Sequence, residues 1–375
     1  EPIAARQWFE RALALRRDLP GDAAGVAEAM LQLAMLESDA ARTDPAIEHF
    51  MAARDLVLAR LGDHHPLLVD IGRNLAALQL ERGQAGDAEA SLQPALELAL
   101  ELHGPRHPTT LAVRRQLGLA WLQQGRLDQA ERELQAQHGP TVTALGPHHR
   151  QTAQSLDALG RLALERGDTA VALAHLRQAV AIWRQTDGHP LLDRGLADLA
   201  LAQAAHGEVG SARASLEEAR RLRAGRLGPS HPALGELDRQ VGELLLDQGQ
   251  AQDARPWLER GAQLTRLGYG ADDPRSLRAE LALARLPADD RTDVEGLAAG
   301  LHNFADRLPA GDSMAALRWQ AQAWAAHADC QAGNVAAGAR QLQDLQAQLQ
   351  LAQPQGGSLP RQVAALAASC SPLQP

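Results

Sequence analysis

The chain contains no lysine, so all 37 of its basic residues are arginine. This absence excludes the sites that depend on a lysine amine: the phosphate-binding lysines of protein kinases and P-loop proteins, Schiff-base lysines and the Ser-x-x-Lys nucleophile pair. The strings HExxH, GxSxG and GxGxxG are also missing. We therefore expect a chain without a catalytic site and without a cofactor.

Positive charge is also scarce relative to negative charge, because 46 acidic residues against 37 arginines give a net charge of −9. Such a chain is a poor partner for nucleic acid or for an anionic membrane surface. No apolar run approaches the ~20 residues that span a bilayer, so we expect no direct membrane insertion. No signal peptide is present either. The chain begins inside a predicted helix, Pro2–Arg17, which favours a piece of a longer protein.

Histidine is plentiful, and the 14 histidines raise the question of a metal site. Many of them recur at intervals of about 42 residues, and successive helix pairs stack ~10 Å apart. Equivalent histidines are then too far apart to share a zinc ion, which binds each ligand at about 2 Å. We expect no metal site, and interpret the histidines as residues that begin helices and the acidic pairs Asp272-Asp273 and Asp289-Asp290 as caps and turns.

The dominant feature that is present is an internal repeat of about 42 residues. Its most regular member is a glycine, found at Gly83, Gly125, Gly167, Gly207 and Gly249. A small residue lies seven positions before each glycine, at Ala76, Gly118, Gly160, Ala200 and Gly242. An alanine follows five positions after it and a large apolar residue nine positions after it, as in Ala88 and Leu92 or Ala254 and Leu258.

Each recurring position of this repeat has a physical role in a pair of antiparallel helices. Glycine ends the first helix because it accepts a left-handed backbone conformation. Small residues allow the two helices to approach closely, and the large apolar residue fills the adjacent groove. His-Pro pairs, as at His65-Pro66 and His107-Pro108, begin the next first helix. Because neither helix can bury its apolar stripe alone, the pairs must stack.

This pattern resembles the tetratricopeptide repeat in its long form of about 42 residues, as in kinesin light chains. The resemblance implies an all-α, right-handed solenoid of about eight helix hairpins with a C-terminal capping helix. We predict a regular array over 1–270, a degenerate repeat over 271–310, a last repeat over 311–352, and a linker with the capping helix over 353–375. Trp8 falls in the register of Phe50 and is expected to be buried.

The resemblance also implies that a protein or peptide ligand lies on the concave surface, which the first helices line. Arginines at these positions would form a broken ladder, and two leucines would lie exposed beside it: Arg73, Arg115, Arg161, Arg194 and Arg239, with Leu119 and Leu201. This composition suits an extended peptide with acidic and apolar side chains, because arginine binds carboxylates with two hydrogen bonds. The alternative is a solvated face whose arginines are neutralised by their own acidic neighbours, such as Glu81, Asp157 and Glu243.

The two cysteines, Cys330 and Cys370, fit neither a CxxC site nor a dense disulfide framework. Cys330 has the register of a buried leucine, so one interpretation is a small core residue. In a stack of parallel first helices, both cysteines would lie at the same end. A disulfide that holds the capping helix is therefore the second interpretation, provided that the Cα atoms come within about 7 Å.

The lysine-free, arginine-rich style of the repeat is similar to the region that follows the kinase domain in bacterial transmembrane Ser/Thr protein kinases. That resemblance implies a sensor domain in the periplasm that reports ligand binding across the membrane. The alternatives are a cytoplasmic regulatory or adaptor array, as in signalling ATPases, transcriptional regulators and kinesin light chains, and an enzyme carried on helical repeats. A homo-oligomer is a further open alternative.

Overall fold

The computed structural model of the chain describes residues 2–17, 19, 21–185, 189–286, 294–309 and 311–370. Over these ranges the structure is all-helical and contains no β-strand. The helices are α1 (Pro2–Arg17), α2 (Ala23–Asp39), α3 (Thr43–Arg60), α4 (Leu67–Glu81), α5 (Ala85–His103), α6 (Pro108–Gln123), α7 (Leu127–Leu145), α8 (Arg150–Arg166), α9 (Thr169–Arg184), α10 (Leu192–Ala205), α11 (Val209–Leu227), α12 (Ala233–Asp247), α13 (Ala251–Tyr269), α14 (Pro274–Ala284), α15 (Val294–Arg307), α16 (Asp312–Gln331), α17 (Val335–Ala352) and α18 (Ser358–Ser369).

These helices confirm the predicted architecture, because α2 to α17 form eight consecutive pairs and α18 follows as a single helix. The chain divides into two compact units. Unit 1 comprises residues 1–124 and 132–155, and unit 2 comprises residues 125–131 and 156–375. Helices α7 and α8 therefore contribute residues to both units. The four-part division predicted from the regularity of the repeat stays a prediction.

The glycines that end the first helices adopt the backbone conformation that the repeat predicts. Gly83, after α4, has a φ of 76°, and Gly249, after α12, has a φ of 72°. Residues with a side chain rarely adopt this left-handed region, which turns the chain sharply after one helix and allows the next to return beside it. Short turns of this kind, with three residues between α4 and α5 and between α12 and α13, explain why the repeat keeps its length so strictly.

The small and large apolar positions of the repeat also pack as expected. In unit 2, a β-carbon added to Gly242 would lie 2.4 Å from Leu258 Cδ2, and one added to Gly160 would lie 2.5 Å from Leu176 Cγ. The leucines therefore occupy the space that a side chain at the glycine would need. Both leucines are at most 1% exposed. The predicted alanines of the repeat are fully buried as well, at Ala46, Ala88, Ala130, Ala172, Ala212 and Ala254.

The histidines at the helix starts act as caps. The ring Nδ1 of His107 accepts a hydrogen bond from the backbone N–H of Thr109 at 3.2 Å, and His231 accepts in the same way from Ala233 at 3.2 Å. A ring nitrogen accepts only when it carries no proton. Each histidine thereby satisfies one of the orphan N–H groups of a helix start. The acidic pair Asp289-Asp290 lies outside the described residues.

One burial prediction is wrong. Trp8 is 69% exposed, whereas Phe50, the residue in the same register one repeat later, is 1% exposed. Phe50 lies on α3, which packs against both α2 and α4, whereas α1 packs against α2. In α1 it is Phe9 and Leu13 that join the apolar cluster of unit 1. The position of a residue in the repeat therefore does not decide its burial, because burial also depends on which helices pack against that residue.

The C-terminal end of unit 2 is held by a covalent bond. Cys330, at the end of α16, and Cys370, which follows α18, form a disulfide with their Cα atoms 5.6 Å apart. This separation lies inside the ~7 Å that a disulfide allows. Cys370 itself is 3% exposed and packs with Val363 and Leu366 in the apolar cluster that joins α16, α17 and α18. The structure thus attaches α18 at its C-terminal end.

Candidate functional site

In unit 1 the two predicted ladder arginines have different surroundings. Arg73 of α4 donates to Asp70 at 3.2 Å, and its side chain is 32% exposed. Arg115 of α6 is half-buried. It borders a small pocket that Leu111, Gln137 and Thr141 also line. Arg73 therefore agrees with the interpretation of a face neutralised by its own acidic residues, whereas Arg115 lines a small pocket.

The prediction that Leu119 is an exposed apolar contact is wrong, since Leu119 is only 7% exposed. The reason lies in the composition of α6, which buries nine residues around most of its circumference rather than along one stripe. A helix that is apolar on several sides is covered on several sides. Leu119 lies inside that arc, between the buried Gly118 and Ala120. It offers no surface to a partner.

In unit 2 the first helix α10 presents an open stripe that combines one cation with apolar surface. Arg194 has a side-chain exposure of 51%, and Leu201, two turns along the same helix, is 45% exposed. Asp198 lies between them with its carboxylate 4.0 Å from Arg194 Nε, and Ala205 continues the exposed stripe. We call Arg194, Asp198, Leu201 and Ala205 the α10 face.

The next first helix, α12, holds its ladder arginine in an ionic network. Arg239 donates to Glu236 at 3.2 Å and also pairs with Glu243, and its side chain is 15% exposed. Burial would raise the pKa of Glu236, but the charges of Arg239 and Arg278 outweigh burial and hold that pKa below its usual range. For Arg239, burial acts to lower the pKa, but Glu243 and Glu236 outweigh it and raise the pKa. The guanidinium of Arg239 is thus already paired with carboxylates of its own helix.

Helix α8 bears the remaining ladder arginine, Arg161, which is half-buried. One turn further on lies Glu165, two positions before the glycine that ends the first helix of this repeat. Its carboxylate accepts hydrogen bonds from the backbone N–H and the hydroxyl of Ser358, at 2.7 and 3.0 Å. Sequence reasoning missed this contact, because the two residues lie 193 positions apart. The Gly356-Gly357 pair just before Ser358 is the one local signal of a close approach.

His327 lies on α16, the first helix two pairs after α12. Burial lowers its pKa, although a hydrogen bond with the backbone of Leu366 acts in the opposite direction. Its ring lies 6.0 Å from that of Trp324. This imidazole therefore favours its neutral form at the junction between α16 and α18.

Two kinds of site are missing from the described part of the chain. There, no group of three His, Cys, Asp or Glu side chains is arranged to hold a metal ion. The described helices also include none with the length and apolar character that would cross a bilayer. The ionic cluster on α12 consists of Arg239 with Glu236 and Glu243.

Comparison with known proteins identifies the repeat. The sequence profile of the tetratricopeptide repeat matches residues 67–136 and 142–185. A search of curated proteins finds no matching sequence. The link of this chain to kinase sensor regions, which the style of the repeat implied, therefore has no support from a matched relative.

Several solved structures are similar. A putative kinesin light chain protein with nearly identical TPR-like repeats from Podosopora anserina is 24% identical, with 54% of this chain and 97% of that chain covered and a TM-score of 0.42. BtubC (BKLC) from P. vanneervenii is 22% identical over 60% of this chain and 91% of that chain, with a TM-score of 0.46. A Rap protein complexed with Competence and Sporulation Factor is 11% identical over 97% of this chain and 93% of that chain, with a TM-score of 0.67. At these identities the likeness concerns the fold alone.

Proposed function

The chain carries tetratricopeptide repeats, and from this premise we propose that it is a non-catalytic interaction domain that binds a protein or peptide partner through its first helices. The observation that carries the proposal is the α10 face, where an exposed arginine and an exposed leucine lie on one stripe of a first helix. The solved Rap protein of similar fold, which has Competence and Sporulation Factor bound, supports a partner-binding role.

The chemistry of the α10 face favours a partner segment that offers a carboxylate close to an apolar side chain. Arg194 can donate two parallel hydrogen bonds to a carboxylate, and its pairing with Asp198 is long, at 4.0 Å. A guanidinium 4.0 Å from a carboxylate gains less than one that forms two close hydrogen bonds, so a partner carboxylate can compete with Asp198 for Arg194. Leu201 then gains from the burial of its exposed surface.

Charge reversal at Arg194 tests this proposal. Peptides selected from a random display library on the unmodified protein should be enriched in acidic and apolar residues. Arg194→Glu should weaken their binding by about tenfold or more, because a charge-assisted hydrogen bond contributes ~1.5–3 kcal/mol. Binding is measured by titration calorimetry, with folding checked by circular dichroism.

Arg213→Glu is the matched control. Arg213 lies on the second helix α11, is 49% exposed and pairs with Glu217 on its own helix, so it matches Arg194 in exposure and in having a carboxylate four positions later, but lies on a second helix. We expect this variant to bind the selected peptides unchanged. Equal losses in both variants, or no loss in Arg194→Glu, would contradict the proposed role of the α10 face.

We further propose that the domain works outside the cytoplasm, as the periplasmic sensor region of a bacterial transmembrane Ser/Thr protein kinase. The disulfide between Cys330 and Cys370 supports an oxidising compartment, since such bonds are rare in the cytosol. The kinase itself rests on the resemblance of the repeat style. The cytoplasmic adaptor array is the alternative, and it requires reduced thiols.

The state of the two cysteines in the native cell separates these compartments. We expect both thiols to resist alkylation in cells quenched with acid, and to react only after treatment with a reductant. Mass spectrometry of the peptides that contain Cys330 and Cys370 gives the result directly. Two thiols that are alkylated before reduction would favour the cytoplasmic alternative.

A further inference from the structure

The segment from Gln353 to Arg361, which we call the clasp, bonds two helix-pair turns that lie far back in the sequence of unit 2. The backbone N–H of Asp128 donates to Gln355 Oε1 at 2.8 Å, and Gln355 Nε2 donates back to Asp128 Oδ2 at 3.1 Å. These partners are 227 positions apart. Hydrogen bonds between neighbouring helix pairs span far less, such as the 43 positions between Gln123 and Leu80.

The second attachment point is the C-terminal end of α8. Arg361 donates to the backbone carbonyls of Glu165 and Leu164, at 2.6 and 2.7 Å. Carbonyls in the last turn of a helix have no partner within it and carry the negative end of its dipole, so a guanidinium is well placed there. The Glu165 carboxylate in turn accepts from Ser358 at the start of α18, where the dipole favours an anion. The two helix ends thus have complementary charge.

A third contact explains a glycine of the repeat. A β-carbon on Gly125 would lie 3.0 Å from Gln353 Cγ, so the clasp approaches the backbone of this turn closely. Gly125 also has a φ of 73°, which favours glycine for the turn itself. The turn after α6 therefore serves both the repeat and the clasp.

The bonds of the clasp differ in kind from those that hold α18 in place. Gln355, Ser358 and their hydrogen bonds to Asp128 and Glu165 are exposed to solvent. Exposed polar contacts contribute little, because water replaces them at small cost. By contrast, Val363 and Leu366 of α18 are buried in an apolar cluster with α16 and α17, and Cys370 is bonded to Cys330. The clasp can therefore open while α18 keeps its core.

We propose that the clasp is an intramolecular latch, which in its closed state occupies the Glu165 carboxylate, one turn from the ladder arginine Arg161 on α8, and excludes a partner from that end of the helix. Its occupant is the chain's own segment 353–361. The effect on a partner rests on the proposed function, whereas the opening of the latch does not. Closing joins residues 125–128 and 164–165 to 353–361 within unit 2, so opening frees the first turn of α7 and the C-terminal end of α8 together.

The backbone amide of Asp128 is a direct probe of the latch. It lies in the first turn of α7, where N–H groups have no partner within the helix, and its partner here is Gln355. Hydrogen exchange followed by mass spectrometry should show protection at this amide in the unmodified chain. In the double variant Ser358→Ala, Arg361→Ala, the amide should exchange at least about tenfold faster, because local opening governs the rate.

Arg340→Ala is the matched control, since Arg340 is an exposed arginine that donates to Ala336 of its own helix. It should leave exchange at Asp128 unchanged. Gln355→Ala provides a second variant that removes the probe's partner directly. Exchange in the core of α18, around Val363 and Leu366, should be unaltered in every variant, which shows that the cap remains folded.

Two results would overturn the latch: no protection of Asp128 in the unmodified chain, or unchanged protection in the double variant. The proposed function is tested separately with the peptides selected on the unmodified protein. If the α10 face binds them and the latch gates that binding, the double variant should bind them several-fold more tightly. Faster exchange at Asp128 together with unchanged peptide binding by Arg194→Glu would keep the latch and reject the proposed function.

Discussion

Replacing Asp238 with alanine is expected to lower the free energy of unfolding by about 3–5 kcal/mol, the range typical of a buried ion pair that loses one partner. The Asp238 side chain is completely buried on α12. It accepts hydrogen bonds from Arg260 at 2.6 and 3.0 Å and from Arg220 at 2.5 Å. Removing the carboxylate leaves two adjacent guanidinium groups facing each other without the anion between them.

Partial hydration of the two arginines places the expected loss near the lower end of that range. The Arg220 side chain is 24% exposed and that of Arg260 is 41% exposed, so water can reach part of each group. Arg260 also lies over the ring of Trp257, 4.5 Å from its centroid, and this contact survives the substitution. Urea unfolding followed by tryptophan fluorescence and circular dichroism gives the free energy.

Asp44→Ala is the matched control for Asp238→Ala. Asp44 pairs with Arg82, but its side chain is 76% exposed, and exposed pairs contribute at most ~1 kcal/mol. Asp238→Asn should fall between the two, because an amide retains one acceptor and loses the charge. A loss below about 1 kcal/mol in Asp238→Ala would show that the two arginines find full compensation in water, contrary to the expected cost of a broken buried pair.

The fold could be predicted from the sequence because the contacts that build it repeat every 42 residues or so. The close approach of Gly242 and Leu258 is visible in the sequence as a fixed spacing, and four other repeats show the same spacing independently. Local signals, such as the cap formed by His107, add to the same conclusion. In a stack of helix pairs each pair contacts its neighbours, so local patterns determine most of the architecture.

Exposure was predicted less well, because it depends on which helices cover a position. Trp8 and Leu119 were placed by register, but α1 has one packing neighbour rather than two, and α6 is covered around most of its circumference. For Arg239, by contrast, the sequence already contained the answer. Glu236 and Glu243 lie three positions before it and four after it on the same helix, which is the spacing of intrahelical ion pairs.

Contacts between distant residues could not be predicted from the sequence. Asp238 finds Arg220 and Arg260 on the second helices that flank it, 18 and 22 positions away, and no rule of the repeat reserves these positions for charge. The contact between Glu165 and Ser358 joins positions 193 apart. Its geometry depends on the small rotation of each helix pair against the next, summed over several pairs, which a single sequence does not reveal.

Removal of the disulfide is expected to lower the stability of the C-terminal cap by about 2–4 kcal/mol, because the bond closes a loop of 40 residues and restricts the unfolded chain. Cys370→Ala keeps a small apolar side chain at a buried position, so the loss reflects the bond more than a cavity. We expect α18 of this variant to unfold at a lower urea concentration, which is measured by hydrogen exchange of the amides around Val363 and Leu366. Addition of reductant to the unmodified protein should produce a similar loss.

Reductant should have no further effect on Cys370→Ala, which separates the bond from general effects of the reagent. A variant as stable as the unmodified protein would show that the apolar cluster of α18 alone sets the stability of the cap. Because the disulfide holds the C-terminal end of α18 and the clasp holds its N-terminal end, loss of the bond also leaves the helix attached by polar contacts and two buried side chains. The amide of Asp128 should then exchange faster in Cys370→Ala as well, since a cap that detaches as a whole releases the clasp with it.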